Sequence, residues 1–250
     1  MHRKRVIVAF AAASLALAAL AGEPHHAPHW SYAGEEGPAH WAKLAPEFSA
    51  CAGHQQSPVD LDRFSDVALP ALAPHYQGSG RDIVNNGHTV QVDYAPGNTL
   101  TLEGKVYTLK QVHVHLPSEH HLHGKSLPME AHLVHADAAG HLAVIAVLFD
   151  TGKPNTEIAH LLEHAPTHAG APVPLDAAAG IAVAGLLPKD LGYYQYNGSL
   201  TTPPCTEGVR WLVLTHPLTA SGHQLHGLAT LLGHSNNRPV QPIGARRVLE

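Results

Sequence analysis

Charge, sulfur and long apolar stretches are all scarce in this 250-residue chain, and each shortage removes a class of protein. Charged residues make up only 14% against 44% hydrophobic, which excludes intrinsic disorder as the dominant state and predicts a real core. Basic residues are outnumbered, 15 against 20 acidic, and their one cluster is the MHRKR at the start, so no nucleic acid is expected as a partner. Cysteine occurs only at Cys51 and Cys205, so a metal site closed by thiolates is not available. In an oxidising compartment this pair reads as one structural disulfide, the alternative being a reactive thiol at Cys205 beside Pro203 and Pro204. There is no internal repeat, and no linker long enough to divide the chain into two domains.

The one long apolar run, Val6 to Ala21, is broken only by Ser14, follows a basic start and ends on an A-x-A pattern at Ala19, Leu20 and Ala21. Sixteen residues are short for a bilayer span. Residues 1–21 are therefore expected to be a cleaved secretory signal peptide, an uncleaved anchor being the alternative. Residues 22–250 would form one domain in the periplasm or secreted, with no membrane span after cleavage. No cysteine follows the run closely, which argues against a lipoprotein. Loss of Arg3, Lys4 and Arg5 would move the net charge from −5 to −8.

From Arg81 onward short β-branched runs alternate with turn signals: IVNNGHTVQVDY, NTLTLEGKVYTLKQVHVHL, EAHLVHAD, HLAVIAVLFD and GVRWLVLTH. Helical patterns are few. Asn155 to Ala165 places Ile158, Leu161, Leu162 and Ala165 on one face, and Ser221 with Gln224 forms a capping box ahead of Leu225, Leu228 and Leu232, closed by Gly233. The fold predicted is a β-dominated α+β single domain, with a large central twisted, mostly antiparallel sheet and short peripheral helices. Residues 22–58 are expected to wrap a surface, and Ala169 to Ala184 to be a loop.

What is abundant is histidine: 23 residues, more than Lys and Arg together. The informative ones lie in QVHVHLPSEH, Gln111 to His120, and EAHLVH, Glu130 to His135. Side chains alternate along a strand, so Gln111, His113 and His115 share one face and Glu130, His132 and Val134 share another. The fourteen-residue connection between them is long enough to bring the second strand back beside the first. Three neutral imidazoles leave the fourth position of a tetrahedral zinc open, the pattern of a catalytic site rather than a structural one. Gln111 and Glu130 are placed to accept the remaining ring N–H of His113 and His132. In a chain this rich in histidine an HxH pair also arises readily by chance. Two rival metal folds fail on spacing. A cupin would need glycine where Tyr107 and Ser126 stand, and a metallo-β-lactamase-type HxHxDH meets Pro117 and Ser118.

Around these strands the chain carries HWSY at His29 to Tyr32, QQSPVDL at Gln55 to Leu61, NNGHTV at Asn85 to Val90, YNGSLTTPPCTEGVRW at Tyr196 to Trp211 and NNRPVQP at Asn236 to Pro242. In this set and order the chain resembles the α-class carbonic anhydrases, particularly the secreted bacterial ones, across most of residues 22–250. The resemblance implies zinc (Zn2+) held by His113, His115 and His132, and reversible hydration of carbon dioxide to bicarbonate and a proton by zinc-bound hydroxide. It implies that Thr201 orients the hydroxide while donating its own proton to Glu119, and that His88 is the proton shuttle. Tyr32, Asn86 and Thr202 would order the connecting waters. Val134, Val144, Leu200, Thr201, Thr202 and Trp211 would bind the substrate. A homodimer is compatible with the reading. Val112 and Val114 stand where the family commonly has Phe. The extra imidazoles of HHLHG, His120 to Gly124, and HHAPH, His25 to His29, could bind metal or relay protons, with solvated surface as the expectation.

Overall fold

Alternation of apolar and polar residues sets which side of the sheet each residue faces, and in this protein the two sides have different jobs. The computed structural model describes residues 28–176 and 180–250. The signal-peptide expectation for 1–21, and His25 and His26, lie outside the described residues.

Seven strands build the centre: β1 (Gly80–Asn85), β2 (Val90–Tyr94), β3 (Lys105–His115), β4 (Met129–Ala136), β5 (Leu142–Thr151), β6 (Tyr193–Ser199) and β7 (Glu207–Leu214). They lie side by side in the order β1-β2-β3-β4-β5-β7-β6, within a sheet of eleven strands. Neighbours are antiparallel except where β5 meets β7, and where β5 also meets the short strand Leu218–Ala220. The sheet is thus mostly antiparallel, as predicted, with parallel pairing on one side of β5.

On one face, Val112 and Val114 of β3, Ala131 and Leu133 of β4, and Ile145, Val147 and Phe149 of β5 form the larger apolar core. Two helices cover it: α1 (Thr156–His164) through Ile158 and Leu161, and α2 (Gly222–Leu232) through Leu228. Side-chain caps hold both in place, the one on α2 as expected. The Asn155 side chain accepts from the N–H groups of Glu157 and Ile158, while Ser221 and Gln224 form the capping box and Gly233 ends α2 in the left-handed region at φ 73°. The opposite face carries Gln111, His113 and His115 on β3 and Glu130 and His132 on β4, beside a second apolar cluster containing Val144 of β5 and Trp211 of β7.

Three segments depart from expectation. Residues 22–58 do more than wrap a surface, because Trp41, Phe48 and Cys51 bury themselves with Cys205 in a small core of their own. Short and 3₁₀ helices build it, and these leave no sustained period in the sequence. Cys51 and Cys205 are disulfide-bonded. The Ala169–Ala184 stretch is not all loop: Val173–Pro174 pairs with β1, and Ile181 and Val183 are buried in the main core. Strand β6, whose YYQYNGS mixes polar and aromatic residues, was not among the predicted strands.

Candidate metal centre

The register of β3 against β4 does most of the assembly. His113 pairs directly with His132, and His115 with Glu130, so three imidazoles converge across one strand boundary. Their ligand-capable nitrogens all lie within 4.8 Å of one another. The ring centroids are 4.5 to 5.1 Å apart. His115 and His132 are buried, whereas His113 is half-buried and opens toward a cavity.

Each ring has one nitrogen already committed. His113 Nδ1–H donates to Gln111 Oε1 at 2.7 Å, His115 Nδ1–H to the carbonyl oxygen of Asn236 at 2.7 Å, and His132 Nε2–H to Glu130 Oε1 at 2.8 Å. These bonds choose the tautomer, leaving His113 Nε2, His115 Nε2 and His132 Nδ1 as bare lone pairs. His115 Nε2 is buried with no hydrogen-bond partner, an uncompensated acceptor that a cation would satisfy. Burial is the leading cause that lowers all three rings below the ordinary histidine value, with His115 at about 4, and around His113 the other two imidazoles add to it. They are therefore neutral near pH 7, the state in which imidazole binds metal. Three neutral nitrogen donors with no sulfur fit zinc with an open fourth position.

Glu130 is surrounded by donors. Its Oε1 takes the imidazoles of His132 and His120, the latter at 2.6 Å. Its Oε2 takes the backbone N–H groups of Glu119 at 2.8 Å and His120 at 2.7 Å. Burial pushes this carboxyl up, but His120, His132 and their hydrogen bonds outweigh it and hold it well below the usual carboxylate range. His120, Glu130 and His132 also cluster closely enough to suggest a second metal site. Glu130 is instead fully used as a hydrogen-bond acceptor, so this group is a scaffold. From His120 the chain of contacts continues to the Tyr196 hydroxyl at 2.6 Å and on to Ser57 Oγ at 2.9 Å. His120 is fully buried, which corrects the expectation of a solvated loop histidine. His121 and His123 are more open.

Glu119 is buried with Oε2 lying 3.6 Å from His115 Nε2 and 4.0 Å from His132 Nδ1. Burial raises it to about 7, against the pull of His132, the Arg238 backbone N–H at 2.8 Å and the Thr201 side chain beside it. Its Oε2 has no partner at hydrogen-bonding geometry. Thr201 is itself buried.

A cavity of about 120 Å³, room for several waters, brings Tyr32, Asn86, His88 and Thr202 together with His113 and His115. Gln91, paired with His113 across β2 and β3, lines it too and was not singled out from the sequence. His88 sits beyond a tight turn in which Asn86 Oδ1 accepts from the N–H groups of His88 and Thr89, each at 2.9 Å, and Gly87 takes φ 85°. Its ring stacks flat on Trp30, with centroids 3.8 Å apart. Burial, then His234 and His29, lower its pKa. On the apolar side, Val144 and Trp211 are buried and Val134 and Leu200 pack against them. The Trp211 ring stands edge-on to His132 at 4.8 Å. A larger concavity of about 740 Å³ around Leu72, Tyr193 and Lys189 contains none of these groups.

Asn236 and Arg238 also escaped the sequence reading as individuals, although NNRPVQP was noted as a motif. Asn236 contributes a backbone carbonyl, which has no residue signature. The Arg238 guanidinium is buried, donating to Gln56 Oε1, Ser57 O and Cys51 O.

Comparison with known proteins agrees with this geometry. A family model described as eukaryotic-type carbonic anhydrase matches residues 36–250. A carbonic anhydrase of Pectobacterium atrosepticum is 44% identical over 222 residues, covering 88% of this chain and 90% of that protein. One from Neisseria gonorrhoeae is 45% identical over 227 residues, covering 89% and 88%. Among solved structures, the α-carbonic anhydrase of Thermovibrio ammonificans with the inhibitor sulfanilamide superposes at TM-score 0.86 with 41% identity, over 90% of this chain and all of that one. Dioscorin complexed with ascorbate superposes at TM-score 0.81 with 32% identity, over 88% and 97%.

Proposed function

The chain belongs to the eukaryotic-type, or α-class, carbonic anhydrase family, and from that premise we propose that it hydrates carbon dioxide reversibly to bicarbonate and a proton at a zinc held by His113, His115 and His132. The observation that carries the reading is the set of three bare imidazole nitrogens, each aimed by a hydrogen bond on the far side of its ring. Zinc bound there would supply the Lewis acidity that brings a water's pKa close to neutral, as is established for carbonic anhydrases as a class.

The protein's own groups do the rest. Gln111, Asn236 and Glu130 hold the three rings in one tautomer, so binding needs no rearrangement of protons. Thr201, beside Glu119, donates its hydroxyl proton toward that group in its carboxylate form, which turns a lone pair to the attacking oxygen and fixes its orientation. Val134, Val144, Leu200 and Trp211 offer carbon dioxide a surface without competing hydrogen bonds. Tyr32, Asn86 and Thr202 order water between the reacting centre and His88, which carries the released proton away. The Cys51–Cys205 disulfide supports a periplasmic or secreted location.

The likeness to dioscorin shows that this fold also occurs in a protein named for something else, so the alternative is a silent binding protein. A histidine-rich zinc store is another. Retention of all three imidazoles and their partners favours the enzyme. Stopped-flow carbon dioxide hydration, with and without a chelator, tests the reading together with metal analysis. One tightly held zinc per chain and chelator-sensitive turnover are expected. Several weakly held ions, or no hydration by the zinc-loaded protein, would overturn it.

A further inference from the structure

Outside the inner cavity, and joined to it by one imidazole, lies a second cavity of about 420 Å³. Trp30, Tyr32 and His88 line both. The inner one contains His113 and His115; the outer one contains His29 and His234. His88 is therefore the one histidine that lines both cavities. The exposed His234 waits there just after α2, with Nε2 3.3 Å from the Gly87 carbonyl and Nδ1 3.1 Å from the Ser235 carbonyl. A neutral imidazole has one N–H and donates to one of these oxygens, whereas an imidazolium donates to both. The Tyr32 ring is 6.3 Å from His88 and 6.0 Å from His234, and all three line the outer cavity.

We propose that His234 is a second-stage proton acceptor, taking from His88 the proton released by hydration and passing it to solvent buffer. The proposal rests on the reading of His88 as the shuttle. In the step itself the His88 imidazolium returns to neutral, His234 gains that proton, and a buffer base removes it. The other titratable groups at the outer cavity are His29, whose Nδ1 is 3.0 Å from Glu36 Oε2, and Tyr32, whose hydroxyl burial keeps protonated. Burial, together with the like charges that His234 and His29 can carry, lowers His88, so a proton there is less firmly kept.

His234→Gln keeps a donor for Gly87 but cannot carry a proton, and it is compared with His88→Ala and the double variant in the zinc-loaded enzyme. The readouts are kcat and kcat/KM in dilute and in concentrated imidazole buffer, and an NMR titration of the histidine rings. His234→Gln should lower kcat in dilute buffer by about threefold or more, short of the 10²–10⁴-fold typical of a whole acid–base catalyst. It should leave kcat/KM unchanged, be restored by concentrated buffer and add nothing to His88→Ala. In the titration the midpoint of His88 should rise once His234 is gone. Wild-type kcat for His234→Gln alongside a defective His88→Ala would overturn the relay and leave the shuttle standing. Wild-type kcat for His88→Ala would remove the shuttle and the relay with it. A loss in kcat/KM that buffer does not restore would make His234 a structural tether and overturn its transfer role.

Discussion

Glu130→Gln changes one charge and almost no volume, yet the structure gives it a specific consequence for metal binding. The wild-type carboxylate accepts two backbone N–H groups at Oε2 and two imidazoles at Oε1. Glutamine has only one acceptor oxygen. The backbone donors cannot change, so the amide oxygen must face them and the amide NH₂ must face the rings. His132 then accepts at Nε2 and carries its proton on Nδ1, the atom needed for zinc. Each bond to the former carboxylate weakens by about 0.5–1.5 kcal/mol, but the cost of burying a charge disappears as well, so metal-free stability should change by less than the sum. Zinc affinity has no such compensation. It should fall about 10- to 100-fold, roughly 1.4–2.7 kcal/mol, measured by competition against a chelator of known affinity. Wild-type affinity in this variant would refute the idea that Glu130 sets the His132 tautomer.

Thr201→Ala should keep its zinc by metal analysis while hydration falls about 10²-fold, the scale of a mispositioned reactant; unchanged turnover would remove Glu119 and Thr201 from the proposed orientation step. His135 faces the core side of β4 and meets the Tyr76 hydroxyl at 2.7 Å, so His135→Gln should leave zinc content unchanged. Burial holds His135 at about 4, below the roughly 6.5 of the unfolded chain, so unfolding takes up a proton in this window. Its contribution to stability is present above pH ~6.5, is lost as the pH falls to about 4, and amounts to about 3 kcal/mol, so His135→Gln should flatten that arm of a denaturation series. The disulfide closes a sequence separation of 154 residues, for which chain entropy sets a ceiling of about 5 kcal/mol. The double variant Cys51→Ser, Cys205→Ser should lose up to that amount in denaturant titrations, and the unfolded, non-reduced wild type should show no free thiol.

How much of this could be read beforehand depended on how local the cause was. The β3 and β4 alternation put Gln111, His113, His115, Glu130 and His132 on the face where they lie, because a strand fixes side with every second residue. The capping box of Ser221 and Gln224 was equally legible, since it uses residues three positions apart; the Asn155 cap, just as local, was not singled out. His120 was misread because its immediate neighbours, HHLHG, look solvated, while the carboxylate that buries it comes from another strand. Strand β6 was hidden because YYQYNGS contains no β-branched residue and ends in Asn, Gly and Ser, which read as a turn, although Tyr194 and Tyr196 alternate with Gln195 and Asn197 and are buried. The carbonyl of Asn236 could not have been read at all, since every residue has one.

The order in which these groups leave a ribosome gives the closing segment a particular role. His113, His115, Glu119 and His132 all emerge by mid-chain, but the carbonyl that aims His115 belongs to Asn236, whose side chain also ties the backbone of Leu116 and Val114 to that of His88. Two residues later the Arg238 N–H takes one oxygen of Glu119 while its guanidinium reaches back to Gln56, Ser57 and Cys51. A chain cut short before Asn236 would keep the pairing of β3 with β4 that brings His113, His115 and His132 together, but would lose the carbonyl that fixes the His115 ring and the N–H that holds Glu119. The proposed metal centre would therefore be fully braced only once the last segment has docked.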